Sequence, residues 1–349
     1  MDLTMKNFLS LTVLSLVCLA LGAPASSDDK VHVVDKELFT NDAIIYSGNH
    51  KIVNIIVPLN GLNNANDDGD STEYNPNSNE KELNILLFFV EADIHLRDNR
   101  VARGLYVWRD GKATKLLDYG RDAAASRDNS TLAFLASNDG IYVYDYKNNS
   151  ATKYGVINDN IMGIGKESTG DIIYILTKKH EMFKVSNGGM IKEKINDVVN
   201  AKQFVLDLSN NIYFYTLDKQ VYVRTNNTVK KIEGLPKNST SINLIKPPLF
   251  IFDDAVPVVV DNDLYFIFAN GTTQFSDITF GPEAKPSAYA PDALLVQYYG
   301  YNNNIYEFNV ITTIYDNVVN SLDNLIENNV NKILSAADKA KRPRQRQSV

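Results

Sequence analysis

The residues of this chain that could do chemistry are few, because the usual reactive constellations are missing. The sequence has no Gly-rich phosphate loop, no nucleophile-elbow motif, no paired-cysteine metal site and no His-Glu-x-x-His helix. Its four histidines, His32, His50, His95 and His180, are scattered and read as surface or structural residues. The stretch Asn64-Ala65-Asn66-Asp67-Asp68-Gly69-Asp70 alternates oxygen ligands around a glycine as a calcium loop does. The twelfth position, where a bidentate Glu is required, is Asn75, so no metal is assigned there, and no cofactor or catalytic residue is assigned anywhere. What remains is a set of polar residues, Arg121, Asn160, Asn200, Lys202 and Asp254, together with Tyr289. They stand where the innermost strands of a repeated β-sheet should begin, and residues at such ends can converge on a ligand. The competing reading is that each only caps its strand and satisfies backbone groups.

The elements that would position these residues repeat along the chain. One copy runs through Thr131-Leu132-Ala133-Phe134-Leu135, Gly140-Ile141-Tyr142-Val143-Tyr144 and, after Asn148-Asn149-Ser150, Ala151-Thr152-Lys153-Tyr154. A second spans Met162 to Lys194, and a third runs from Phe204-Val205-Leu206-Asp207 to Val229-Lys230-Lys231-Ile232. Later copies follow Asp261 and Asp292, in Leu264-Tyr265-Phe266-Ile267-Phe268 and Leu294-Leu295-Val296-Gln297-Tyr298. Taking Tyr142, Phe183 and Tyr222 as equivalent, the steps are 41 and 39 residues. Period-two alternation, β-branched and aromatic enrichment and Asn/Asp/Gly turns say strand, and a four-strand repeat near this length says β-propeller blade. A blade cannot bury both faces alone, so six of them should close into a ring over residues 24–311. The sixth blade lacks an outer strand after Ile305-Tyr306-Glu307-Phe308, and the run from Lys51 to Val57 is expected to supply it and join the chain ends.

Two segments break the repeat. Residues 60–82 are rich in Asn, Asp, Gly and Ser and read as a disordered insertion. Over 312–340, Val318, Val319, Leu322, Leu325, Ile326, Val330, Ile333 and Leu334 form one stripe at helical spacing, which implies an amphipathic helix that packs on the ring or contacts a partner protein. The basic tail 341–349 reads as solvated.

Residues 1–23 read as a secretory signal peptide: Lys6 precedes an apolar run from Phe8 to Leu21, then small residues from Gly22 to Ala25. The apolar run is too short for a comfortable membrane span, so the expectation is a secreted, extracellular protein with no span after cleavage. Cys18 is the only cysteine and lies in the removed segment, which leaves a core without disulfides. Sequons at Asn129, Asn148, Asn226, Asn238 and Asn270 fit that route. The net charge of -7 and the pI near 5.2 argue against a nucleic-acid-binding body.

The unit Asp139-Gly140-Ile141-Tyr142-Val143-Tyr144-Asp145 followed by Asn148-Asn149-Ser150-Ala151-Thr152-Lys153-Tyr154-Gly155 resembles the ommochrome-binding proteins of moths, which are secreted haemolymph proteins. The segments Ile44-Ile45-Tyr46-Ser47-Gly48 and Ile52-Val53-Asn54-Ile55-Ile56, read as a hairpin, look like theirs as well, and the likeness extends from Ala43 to about Asn309. The resemblance implies a carrier for a planar, acidic, tryptophan-derived pigment or a comparable small aromatic molecule, and the sequons add the expectation of a glycoprotein. Nineteen tyrosines and Trp108 are compatible with stacking on such a ligand. Two other classes stay open. One is a metal-dependent lactonase-like propeller enzyme, to which Asn160, Asn200 and Asp207 bear some likeness; the other is a yellow-type propeller with structural or signalling duties.

Overall fold

The structure is a computed structural model that describes residues 31–58, 86–95, 99–126, 132–247, 254–291 and 296–309. The signal segment, the 60–82 insertion, Asn129, the 312–340 helix and the basic tail all lie outside the described residues.

Six sheets form the blades of a β-propeller. Two short strands come first, β1 (His32–Val34) and β2 (Ile44–Ser47). The first blade is β3 (Lys51–Ile56), β4 (Leu86–His95), β5 (Asn99–Arg109) and β6 (Lys112–Leu117). The second is β7 (Gly120–Ala125), β8 (Ala133–Ser137), β9 (Gly140–Asp145) and β10 (Ser150–Lys153). The third is β11 (Ile161–Lys166), β12 (Ile173–Thr177), β13 (Met182–Ser186) and β14 (Ile191–Lys194). The fourth is β15 (Ala201–Leu206), β16 (Ile212–Thr216), β17 (Val221–Thr225) and β18 (Thr228–Lys231). The fifth is β19 (Ile242–Leu244), β20 (Ala255–Val260), β21 (Asp263–Phe268) and β22 (Thr273–Phe280), and the sixth is β23 (Ala288–Pro291), β24 (Val296–Tyr301) and β25 (Asn304–Asn309).

Position within a blade explains the sequence of each strand. Second strands are covered on both faces by neighbouring blades, so β8, β12 and β16 are buried at every residue and read as unbroken apolar runs such as Ile212-Tyr213-Phe214-Tyr215. Outer strands face water, and β14, Ile191-Lys192-Glu193-Lys194, is exposed throughout. The hairpins that lead to outer strands use residues that tolerate positive φ: Asn226 and Asn227, at 46° and 63°, make the tight turn between β17 and β18. The core lies between blades. Phe88, Val90, Leu105 and Val107 of the first blade pack against Ala123, Leu135 and Tyr144 of the second, and equivalent clusters join the second to the third, the third to the fourth, the fourth to the fifth and the sixth to the first. Each fully buried Phe or Leu there contributes about 1.5–3 kcal/mol relative to exposure.

Ring closure does join the two ends of the chain, but with a different strand from the one expected. β2 completes the sixth blade by pairing with β25, Ile44 opposite Tyr306 and Ser47 opposite Asn304. Lys51–Ile56 is instead the innermost strand of the first blade, paired with β4. The two segments read as one hairpin therefore lie in different sheets. Burial explains the choice: Ile52, Ile55 and Ile56 are all nearly inaccessible, as an inner strand demands, whereas β2 is only half-buried. Tyr46 latches the seam between the sixth and first blades, its ring 4.6 Å from Phe89 and its hydroxyl donating to the buried Glu91 carboxylate at 2.9 Å. The fifth blade gains a further strand, because β1 pairs in parallel along β22. Among the described residues no helix is long and apolar enough to cross a membrane.

Candidate functional site

Four of the inner strands carry the same irregularity near their start. The register against the second strand slips between Ile52 and Asn54, Gly120 and Asp122, Ile161 and Gly163, and Ala201 and Gln203. Each slip is a bulge that adds one residue and twists the strand. The bulged residues are Val53, Arg121, Met162 and Lys202, so Arg121 and Lys202 hold equivalent positions two blades apart. The residues just after the bulges, Asn54, Asp122, Gly163 and Gln203, with Asn243 at the matching place in β19, surround the propeller axis.

That axis is crossed by an ion pair. Lys246, immediately after β19 and Ile245, reaches from the fifth blade to the second, where its Nζ donates to Asp122 Oδ1 at 2.7 Å. It also donates to the carbonyl of Ala123 and, at 3.3 Å, to that of Ile164 on the third blade. Asp122 in turn accepts from Asn54 Nδ2 of the first blade, from its neighbour Ala123 N and from Ile164 N at 2.8 Å. Four blades thus meet at one carboxylate whose side chain is 9% exposed. All three ammonium protons of Lys246 and both oxygens of Asp122 have partners, which favours a pair this far withdrawn from water. The Lys246 side chain thus crosses the space between the inner strands as a staple between the fifth, second and third blades. Gln203 adds a further link, donating to Leu244 O at 2.8 Å and accepting from Leu244 N at 3.0 Å.

At the end where the inner strands begin, the staple becomes the floor of a mouth. Arg121 and Asn160, expected to converge, do so: the Arg121 guanidinium donates to Asn160 Oδ1 and, at 3.4 Å, to Ile161 O. A second arginine joins them from a source the sequence did not flag. The β4–β5 hairpin runs on past its last pairing with β3, at Ala92, through Asp93–His95 and Asn99–Val101. That overshoot of three residues is roughly 10 Å of extra strand. From it, Arg100 donates to the carbonyl of Arg121 at 3.3 Å. Desolvation and the neighbouring Arg121 act against the charge on Arg100 while Asp122 acts in its favour. Partial burial likewise holds Arg121 below the ordinary arginine range, although both guanidiniums remain charged at neutral pH.

The other expected residues part company. Asn200 adopts φ 54°, a left-handed conformation that Asn tolerates, and its carbonyl accepts from Leu217 N at 3.1 Å, which makes it a strand-end residue. Asp254 does not open an inner strand. It precedes β20, the second strand of the fifth blade, and by the pairing of Leu244 with Val258 it lies at the opposite end of the sheet from Asn160 and Asn200. Its carbonyl accepts the Tyr213 hydroxyl at 2.6 Å. Tyr289 is on an inner strand but lines a cavity of about 20 Å³ with Asn243 and Lys285, between the fifth and sixth blades. That volume holds one water and no pigment. Burial lowers the pKa of Lys285, which donates to Ser241 Oγ at 2.8 Å.

The lactonase-like arrangement is not assembled. Asp207 is fully buried as a hairpin cap, accepting from Asn211 N and Nδ2 at 2.8 Å each, and is not brought to Asn200. Burial raises the pKa of its carboxyl. Among the described residues no three His, Cys, Asp or Glu side chains gather as a metal site would require. His180 spans two blades through Nδ1 and the carbonyl of Ala201 at 2.8 Å, and His50 meets Asp93 at 2.8 Å. Away from the axis, a cleft of about 490 Å³ lies between the Asp218–Gln220 turn and the linker into the fifth blade, lined in part by Lys219, Lys231, Glu233, Leu235 and Lys237.

Sequence reasoning missed Asn54, Asp122, Gln203, Lys246 and Arg100. A signal existed for some of them: Asp122, Gly163, Gln203 and Asn243 recur at steps of 40 or 41 residues, each breaking an otherwise apolar strand. No protein-family model matches the chain, and neither does any curated protein.

Proposed function

We propose that this protein is a secreted carrier that holds a small, planar, acidic aromatic molecule of the ommochrome type at the mouth of its propeller. One observation carries the proposal: Arg100 and Arg121 come together at the start of one inner strand, where Arg100 donates to the Arg121 carbonyl, while the nearby carboxylate, Asp122, is engaged by Asn54, Lys246 and two backbone amides. Two neighbouring cations beside a carboxylate whose charge is shared with Lys246 form a site for a further anion, and each charge-assisted hydrogen bond to it is worth about 1.5–3 kcal/mol. The axial staple gives that anion a floor and makes the mouth a dead-end site.

The sequons fit the same picture. Asn148, Asn226 and Asn270 all stand at hairpins between the third and fourth strands, in the second, fourth and fifth blades, so glycans there would occupy blade edges and leave the inner-strand ends free. Asn238 is on the linker between the fourth and fifth blades, at the lip of the lysine-lined cleft.

The test is titration of the secreted, purified protein with a phenoxazinone carboxylate pigment, following Tyr and Trp fluorescence. Saturable quenching in the micromolar range supports the carrier; none at micromolar pigment removes it.

A further inference from the structure

We infer that the cleft between the fourth and fifth blades is the seat of an N-glycan attached at Asn238, whose first sugars lie against the edge of the core, independently of what binds at the mouth. Asn238-Ser239-Thr240 is a sequon on the linker 232–241. That linker is the longest between blades among the described residues, against 154–160, 195–200 and 281–287. Asn238 is itself one of the residues lining the cleft of about 490 Å³. Asn148, Asn226 and Asn270 instead stand exposed at hairpins between third and fourth strands.

The cleft has an apolar floor and a polar rim. Val221, Ile232 and Val260 form the floor and belong to the core cluster joining the two blades, with Leu235 and Ile242 packed against it. Around them stand Asp218, Gln220, Lys231, Glu233 and Lys237. A sugar ring matches both parts, because its faces carry C–H groups and its edge carries hydroxyl and acetamido groups, and the volume is that of an ordinary small-ligand site. The linker above is pinned at its two ends. Glu233 N donates to Gly271 O at 2.9 Å and Thr273 Oγ1 to Glu233 O at 3.0 Å, while Lys219 Nζ donates to the carbonyls of Ser239 and Thr240 at 3.1 and 2.6 Å. Among the described residues, 234–238 have no hydrogen bond to anything outside the linker, so the segment that carries Asn238 spans the cleft without support.

The tether decides the occupant. No aromatic ring lines the cleft among the described residues, so each contact with a sugar is weak, and a free saccharide would gain little there. Covalent attachment at the lip supplies a high effective concentration, which makes weak contacts sufficient. Attachment precedes folding, because the folded chain commits the Thr240 hydroxyl of the sequon to Asp261 Oδ1 at 2.5 Å. In that step Asn238 Nδ2 bonds to the anomeric carbon of a lipid-diphosphate-linked oligosaccharide, the carbon–oxygen bond to the diphosphate breaks, and the amide gives up one proton.

The experiment uses the full-length secreted protein carrying oligomannose glycans, with glycopeptide mass spectrometry to read each sequon separately. An endoglycosidase that cuts between the two core N-acetylglucosamines is applied to the native and to the denatured protein. In the native protein the glycan at Asn238 should be trimmed at least about tenfold more slowly than those at Asn148 and Asn226, and after denaturation at the same rate. Gln220→Trp, which fills the cleft from a surface turn, should abolish most of that protection. Asn238→Gln should lower Tm by about 3 °C more in the secreted protein than in unglycosylated protein from a bacterial host. The second comparison cancels the strain of Gln at this left-handed position, φ 60°. Equal native trimming at all three sites, or protection that survives Gln220→Trp, overturns the inference. Glycans at Asn148 and Asn226 with none at Asn238 overturn it and leave the secretory route standing. Absence of glycan from every sequon removes the glycoprotein expectation and the inference together. Pigment quenching is a separate readout, so failure of the carrier leaves this result intact, and the reverse holds.

Discussion

Replacing Lys246 with methionine removes a charge that crosses the propeller axis and keeps most of the side chain's volume. Lys246 donates to three acceptors on two blades, Asp122 Oδ1, Ala123 O and Ile164 O. Loss of a fully buried partner costs about 3–5 kcal/mol, but two features reduce that figure here. The Lys246 side chain is 29% exposed, and Asp122 keeps Asn54 and two backbone amides. Lys246→Met should therefore cost about 2 kcal/mol, and Asp122→Ala, which strands the ammonium together with both amides, about 4 kcal/mol. For a domain of this size each kcal/mol lowers Tm by about 2 °C, so the expected falls are about 4 and 8 °C. Differential scanning calorimetry of both variants and of the double variant reads this directly. The double variant should fall short of the summed losses by at least about 1 kcal/mol, because the two side chains act on each other. A Lys246→Met protein melting within about 1 °C of wild type, or losses that simply add, would refute the staple.

Three further outcomes follow from the packing. Glu307 Oε2 is buried, and burial raises the pKa of its carboxyl above the unfolded value of about 4.3, against a smaller opposing pull from Tyr298. The native state then favours the protonated acid, so the contribution of Glu307 to stability is fullest below about pH 4 and is lost as pH rises through the raised pKa. Glu307→Gln should melt with wild type at pH 4 and above it at pH 7, by about 1 kcal/mol; no pH dependence in that difference would contradict the assignment. Tyr46→Phe deprives the buried Glu91 of one donor at the closing seam and should cost about 1–2 kcal/mol by urea denaturation, whereas an unchanged midpoint would show that the hydroxyl is not a latch. Tyr289→Ala should lower Tm and leave pigment affinity within about twofold, because its ring lines a one-water cavity between blades; a large affinity loss would move the site.

The fold was most legible where blades are regular. Ile212-Tyr213-Phe214-Tyr215 advertises a strand covered on both faces, and Ile191-Lys192-Glu193-Lys194 an outer one, because burial alone decides their composition. Legibility failed where two segments carry similar patterns. Ile44–Tyr46 and Ile52–Ile56 are both apolar and β-branched, and only the deeper burial of the second separates an inner strand from a closing one. The fifth blade misled for a related reason: its inner strand is only Ile242-Asn243-Leu244, so the fully buried run Ala255–Val260 drew Asp254 into the wrong role. In the site, Arg121 and Asn160 were readable because their positions repeat from blade to blade. Lys246 and Asp122 are 124 residues apart, and no local feature links them before the ring closes. Arg100 was hidden because it depends on a hairpin running longer than its equivalents, a difference of length and not of residue type.

The central claim is that the two arginines at the mouth hold the ligand's acid group. Isothermal titration calorimetry of a phenoxazinone carboxylate against the wild type and the Arg100→Ala/Arg121→Ala double variant tests it in one comparison. We expect one ligand per chain and an affinity loss of about a hundredfold in the double variant, since two charge-assisted contacts go together, with a fall in Tm of only a few degrees from the bonds to Asn160, Ile161 and the Arg121 carbonyl. Equal affinity in the two proteins would place the pigment elsewhere and contradict the account.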